Sequence, residues 1–355
     1  MAISKIFWKN KTVLIAGHTG FKGSWLSIWL KLLGANLHGY ALEPDTHPNM
    51  FEVSGVGKII KSNIGDIRNY NKLASVVKKC QPQIIFHLAA QPLVRRSYKD
   101  PLGTYQTNII GTANLLEAAR YTKSVQAVIV VTSDKCYDNR ETHYAYRESD
   151  PLGGYDPYSS SKACAEIITA SYRKSFFTDC HTAIASARAG NVFGGGDWAT
   201  DRLVPDCMRV LTQNKTILVR YPNAVRPWQH VLDPLSGYII LAEKLYKSGK
   251  KFARAWNFGP GGKNTKNVAF IVDKIIKLWG KNAKWRTTDI KQPHEAMLLK
   301  LNCSMAQKHL LWRPCWDIEK ALEETVYWYK TYMERPRQIM NTTIEQIEQY
   351  MEDSE

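Results

Sequence analysis

The chain has 355 residues, 44% of them hydrophobic and 23% charged, which is enough apolar material for a sizeable core and excludes a disordered polyampholyte. Lys and Arg exceed Asp and Glu by 48 to 32, a net charge of +16, yet the basic residues are scattered and carry no zinc-finger or RNA-binding signature. A basic surface that draws in an acidic small molecule accounts for this charge, and no nucleic acid is expected as a partner. No apolar run nears the roughly 18 residues of a spanning helix, so no membrane partner is expected. The seven cysteines are odd in number, dispersed and free of CxxC pairs, which fits a reducing, cytoplasmic location and offers no metal site.

Along the first half, apolar runs alternate with helical patterns. The strands expected are Thr12 to Gly17, Asn36 to Leu42, Ile59 to Gly65, Gln83 to Ala90, Ala127 to Ser133 and His181 to Ala189. Helices are expected over Phe21 to Leu33, Tyr70 to Lys79, Thr104 to Tyr121 and Tyr158 to Phe177. Strands that are apolar on both faces, alternating with amphipathic helices, predict an α/β, doubly wound, Rossmann-type parallel sheet. After Ala189 the pattern becomes Gly- and Pro-punctuated. Residues 1–189 are read as a dinucleotide-binding domain with strand returns near 225–260. Residues 190–340 are read as mainly a smaller, interleaved substrate lobe, and 341–355 as a C-terminal tail, either a peripheral helix or frayed.

GHTGFKG places Gly17, Gly20 and Gly23 between a strand and a helix. Glycines there allow a tight turn, close approach of a pyrophosphate and tight helix–strand packing, with phosphate at the helix N-terminus. Thr19, Phe21 and Lys22 fall within the same loop. Strand two ends in HGYALEP, where Glu43 is the nearest carboxylate for a ribose and no Arg stands ready for a 2′-phosphate, so NAD is expected over NADP. Asp66, followed by Ile67, either accepts from an adenine amino group or caps the next helix.

Tyr158 and Lys162 lie one helical turn apart in YSSSK, and Ser133 and Asp134 end the fifth strand at the carboxyl edge of the sheet, where α/β proteins bind ligands. A free tyrosine titrates near 10, too high for a base at neutral pH. A nearby Lys162 ammonium and a cationic nicotinamide are expected to lower it by about three units, worth roughly 4 kcal/mol.

The glycine loop, HLAAQ (His87 to Gln91), Asn108 in TNIIGT, the Ser/Tyr/Lys set and RAGNVFG (Arg188 to Gly194) together resemble an extended short-chain dehydrogenase/reductase, over nearly the whole chain. GHTGFKGSW, AAQPLVRRSYKDP, TSDKCYDN and YRESDPLGGYDPYSSSK narrow the resemblance to the nucleotide-sugar 4,6-dehydratases, on the branch that acts on CDP-glucose. The resemblance implies an NAD-dependent hydro-lyase. Tyr158, with Ser133 and Lys162, oxidises C4 of the sugar; Asp134 acts as the acid for loss of the C6 hydroxyl; hydride returns to C6. Lys135 stands where relatives acting on dTDP- and GDP-sugars carry Glu, and its role as C5 base or as a partner of Asp134 is open.

The resemblance also implies cofactor contacts from Leu88, Ala89, Ala90 and Asn108, and substrate contacts from Gln91, Arg95, Asn191, Arg202, Arg226 and His294. For Asn108 a buried amide that satisfies backbone is an equal reading. A homodimer or homotetramer is implied through the helices near 104–121 and 158–177. The competing readings are an epimerase or reductase on the same scaffold, a dehydratase of another nucleotide sugar, and a non-catalytic dinucleotide-binding protein.

Overall fold

The computed structural model describes residues 3–178, 180–261, 264–280, 283–287 and 299–355. Seven parallel strands form the central sheet: β1 (Thr12–Ala16), β2 (Asn36–Ala41), β3 (Lys61–Ile64), β4 (Ile84–His87), β5 (Ala127–Val131), β6 (Ala183–Ala189) and β7 (Ala255–Phe258). Their order is β7-β6-β5-β4-β1-β2-β3, every pairing parallel. Strand order therefore reverses between β1 and β4, the place where a doubly wound sheet opens its ligand crevice. β4, β5 and β6 are buried along their whole length because helices cover both faces. The doubly wound α/β fold expected from the alternating pattern is the one observed.

The local signals are largely conventional. The helix Pro157–Ser175 starts at an Asp-Pro step: Asp156 accepts from the Ser159 amide at 2.9 Å and Pro157 occupies the first turn, where its missing N–H costs nothing. The stretch expected as one helix over 104–121 begins earlier, at Pro101, and is interrupted by a π turn at Gln106–Ile110 before continuing as Gly111–Arg120. The third strand starts two residues later than expected, because Val56–Lys58 first closes a short 3-10 turn. Outside the sheet, Asn191–Phe193 pairs in parallel with Val225–His230, which also takes Thr265–Asn267 antiparallel.

The C-terminal stretch is a helix, Ile339–Asp353, and it is docked rather than frayed. Trp29, from the helix that follows β1, meets the Tyr350 ring at 5.7 Å, and Tyr350 is 1% exposed. The Tyr350 hydroxyl and the Cys315 amide both donate to Asp233 Oδ1, at 2.7 Å each. Burial raises this carboxyl to about 6.

That shift is worth about 3 kcal/mol. The stabilisation it represents is complete below the ordinary carboxylate range and lost as pH rises through about 6. Asp233→Asn should therefore melt progressively higher than the parent as pH is raised from 4.5 to 7.5. Thermal unfolding across that range checks it; a melting difference independent of pH would contradict the assignment.

Candidate active site

The glycine loop is built by backbone-on-backbone packing. Gly17 has φ +93°, and a Cβ there would fall 2.6 Å from the Ala89 amide nitrogen and 2.8 Å from the Leu88 carbonyl carbon. A Cβ on Gly23 would fall 2.0 Å from the Gly17 oxygen. Gly20 differs: its nearest neighbour would be the Gly17 oxygen at an ordinary 3.5 Å, so the space above it is open. Gly20 is also the N-cap of Phe21–Leu32 and supplies no side-chain cap, leaving the first-turn N–H groups free of intrahelical partners. Thr19 Oγ1 donates to the Leu42 carbonyl at 2.8 Å and ties the loop to the end of β2. His18 is buried beneath, held to Ser62 at 2.7 Å and lowered to about 4 by burial.

At the tip of β2, Glu43 is exposed. Asp66 is engaged by Arg68 through Nε at 2.9 Å and Nη2 at 2.5 Å, which holds its carboxyl below the usual range. It does not cap the next helix; Asn69 does, accepting from Lys72 at 3.1 Å. Ile67 is buried against Gly111, and Leu88, Ala89 and Ala90 line the end of β4, half-buried.

The residues expected to be catalytic converge at the carboxyl end of β5. Ser133 caps the short turn Asp134–Cys136, accepting from the Lys135 amide at 3.2 Å and donating to Asp134 Oδ1 at 3.1 Å. Tyr158 shares a hydrogen bond with Ser133. Lys162 Nζ donates to the Val131 carbonyl at 3.3 Å. The expected lowering of Tyr158 counts on a cationic nicotinamide as well as Lys162, and the chain without a dinucleotide starts from a raised phenol. Burial pushes its phenol up to about 12, and the Ser133 hydrogen bond and the Arg202 charge pull against that. The same burial lowers Lys162 to about 8 and Lys22 to about 7, the latter aided by the charges of Arg202 and Lys162. Asp134 is raised, burial outweighing the nearby Lys135 and Lys22. Its carboxyl lies against Gly190, where a Cβ would come within 2.6 Å of Oδ2, and both residues line a cavity of about 170 Å³ with Pro227, Pro260 and Lys300.

The remaining residues divide. Arg202 reaches the site and pairs with Asp197 at 2.9 Å. Asn191 and Arg226 lie on the neighbouring paired strands, half-buried. The Gln91 side-chain amide donates to the Leu93 carbonyl and Thr104 and accepts from the Leu93 amide, which ties it to the loop after β4. Asn108 sits in the π turn, accepting from the Gln91 amide at 2.8 Å and donating to the Gln91 carbonyl at 3.0 Å and to Ser161 at 2.8 Å. Arg95 forms an ion pair with Asp201 at 2.7 Å. His294 lies outside the described residues. Sequence reasoning missed Asp197 in the Gly-rich GGGDW loop and Glu166, although Glu166 lies one turn beyond Lys162 on the helix that carries YSSSK.

A crevice at the strand-order reversal, an open Gly20 over unpaired N–H groups and a Ser–Tyr–Lys set with an adjoining buried acid define a short-chain dehydrogenase/reductase adapted for elimination. The chain belongs to the nucleotide-sugar 4,6-dehydratase family: the family described as GDP-mannose 4,6 dehydratase matches residues 14–325. It is 49% identical over 354 residues to a CDP-glucose 4,6-dehydratase of Salmonella typhimurium, covering 98% of each chain. In fold it is similar to an epimerase of Methanothermobacter thermautotrophicus (TM-score 0.80, 21% identity, 95% of this chain and 97% of that one). It is also similar in fold to an NAD-bound dTDP-glucose 4,6-dehydratase of Bacillus anthracis (TM-score 0.74, 24% identity, 92% and 98%).

The glycines should separate under substitution. Gly17→Ala and Gly23→Ala force backbone apart, and each should cost about 3 kcal/mol or more. Gly20→Ala should stay within about 1 kcal/mol of the parent and instead weaken dinucleotide binding. Thermal unfolding and calorimetric titration check this; equal destabilisation at all three positions would refute it.

Proposed function

We propose that this chain converts CDP-D-glucose to CDP-4-dehydro-6-deoxy-D-glucose and water, using NAD. The observation that carries the reading is Asp134: a buried carboxyl raised toward its protonated form, held by Ser133 beside Tyr158, at the edge of a cavity. Oxidation and reduction on this scaffold need a hydroxyl, a Tyr and a Lys; elimination needs a proton donor for the departing C6 oxygen as well. The near relative that covers 98% of the chain supports the choice of nucleotide.

The residues fit the dinucleotide. The open space at Gly20, the unpaired first-turn N–H groups and the half-buried Leu88 to Ala90 strip would hold its phosphates and sugars, and nothing basic stands at the tip of β2 to favour a 2′-phosphate. The chemistry that bound NAD would supply is the acceptance and return of a hydride, with a positive charge on its oxidised ring. Tyr158 takes the C4 hydroxyl proton, and Ser133 orients that hydroxyl by its bond to the same phenol. Lys162 holds positive charge at the end of β5. Asp134 then gives its proton to the C6 oxygen as it leaves. Lys135, whose charge acts on Asp134, is either the C5 base or the group that steadies the enolate. Arg202, Asn191 and Arg226 are the candidates for the substrate diphosphate, and Arg suits that role because its planar fork binds oxygens in pairs.

Seven free cysteines support a cytoplasmic enzyme, and among the described residues no helix is long and apolar enough to cross a membrane. We infer a homodimer through the helices 101–120 and 157–175, whose outer faces expose Leu102, Ile110 and Ile167. Ile110→Asp with Ile167→Asp should leave a monomer by light scattering; an unchanged mass would place the interface elsewhere.

Parallel incubation with CDP-glucose, dTDP-glucose, GDP-mannose and UDP-glucose, read by mass spectrometry, tests the reaction and the nucleotide together. A loss of water confined to CDP-glucose is expected; equal kcat/KM across the four would remove the nucleotide assignment. Tyr158→Phe should lower turnover by about 10²–10⁴-fold with the fold intact. Asp134→Asn should still form the 4-keto hexose but stall before water loss, and in the parent the water-loss step should weaken as pH rises and Asp134 loses its proton. Lys135→Met should stop solvent deuterium entering C5 if Lys135 is the base, and only slow it otherwise.

A further inference from the structure

One guanidinium lies behind both catalytic elements without touching the cavity. Arg188, on β6, is 3% exposed. Its Nη2 donates to Glu166 Oε2 at 2.9 Å; its Nη1 donates to the Tyr137 hydroxyl at 2.7 Å and to the Glu148 carbonyl at 3.2 Å. Glu166 lies one turn after Lys162 on the helix Pro157–Ser175, and also accepts from Thr132 at 2.5 Å and Ser186 at 2.7 Å. Tyr137 directly follows the Asp134–Cys136 turn and passes a hydrogen bond on to Asn257 Oδ1 of β7 at 2.7 Å.

We propose that Arg188 is a positioning residue with two separable arms: through Glu166 it sets the helix of Tyr158 and Lys162, and through Tyr137 it sets the turn of Asp134 and Lys135. A planar fork can hold two differently placed acceptors at fixed angles, which a lysine ammonium on a flexible stem cannot. Burial opposes the charge on Glu166, but Arg188 and the Thr132 and Ser186 hydroxyls outweigh it and keep the carboxylate ionised, so the first arm is charge-assisted. The second arm is a neutral acceptor, with Arg188 also 4.8 Å from the Tyr137 ring centroid. A buried ion pair is weak evidence of stability, since well-packed apolar residues often do as well; orientation is what this geometry adds. The two arms end on the groups for the two half-reactions, C4 oxidation and loss of the C6 oxygen. That naming rests on the dehydratase reading; the geometry does not.

Tyr137→Phe removes one arm and keeps the ring, including its stacking on Tyr146 at 5.1 Å. Rapid-quench analysis with CDP-glucose should show water loss slowed about tenfold, C4 oxidation within about twofold, and KM unchanged. Hydrogen exchange, read without substrate, should quicken in 133–138 and not in 157–175. Glu166→Gln should do the reverse: slowed C4 oxidation and faster exchange in 157–175. If Glu166→Gln does not fold, the Tyr137→Phe split decides alone. Equal slowing of both steps, no slowing of either, or faster exchange in both segments at once would overturn the proposal. A parent enzyme that leaves CDP-glucose unchanged would instead defeat the dehydratase reading, and the exchange pattern would still judge this one.

Discussion

Everything at the crevice depends on how closely β1, its following turn and the end of β4 approach one another. Gly17 lies flat against Leu88 and Ala89, and Gly23 lies flat against Gly17, with no room for a methyl group at either contact. The strand-order reversal opens a gap at the carboxyl edge, and this packing narrows it to the width of a backbone. Only Gly20 is left with free space over unpaired N–H groups. The familiar three-glycine spacing therefore contains two structural glycines and one that a ligand can use.

Much of this was legible in the sequence because it is written in local patterns. Near-continuous apolar strands alternating with amphipathic helices predict a parallel sheet, and the glycine loop, YSSSK and the Ser133–Asp134 step each sit on a predictable element end. What was not legible depends on distant partners. That Gln91 spends its amide on Thr104 and Leu93, or that Asn69 and not Asp66 caps its helix, follows from where the chain turns, not from residue type. Asp197 came from a loop whose glycines drew attention away from its carboxylate. For Tyr158, spacing reveals a neighbouring lysine but not the depth of burial, and burial is the largest effect on the phenol of the chain without a dinucleotide.

Burial acts on four ionisable groups of the site in one direction. It raises Tyr158 and Asp134 and lowers Lys162 and Lys22, in each case toward the neutral form. A resting site of this kind is biased toward a protonated acid and an intact phenol. Arg202 remains ionised through Asp197, so it is a fixed cation among groups whose charge is conditional.

The docking of Ile339–Asp353 has a consequence for the order of assembly. Trp29 Nε1 donates to Met351 Sδ at 3.3 Å across 322 residues of sequence, and Trp29 belongs to the helix whose first turn forms the dinucleotide crevice. That helix is made early, yet one of its aromatic faces is covered only once Ile339–Asp353 is in place. Contacts this far apart in sequence slow folding and leave apolar surface open to wrong partners in the interval. A chain that has completed all seven strands but not Ile339–Asp353 is thus still without this cover on the helix that follows β1.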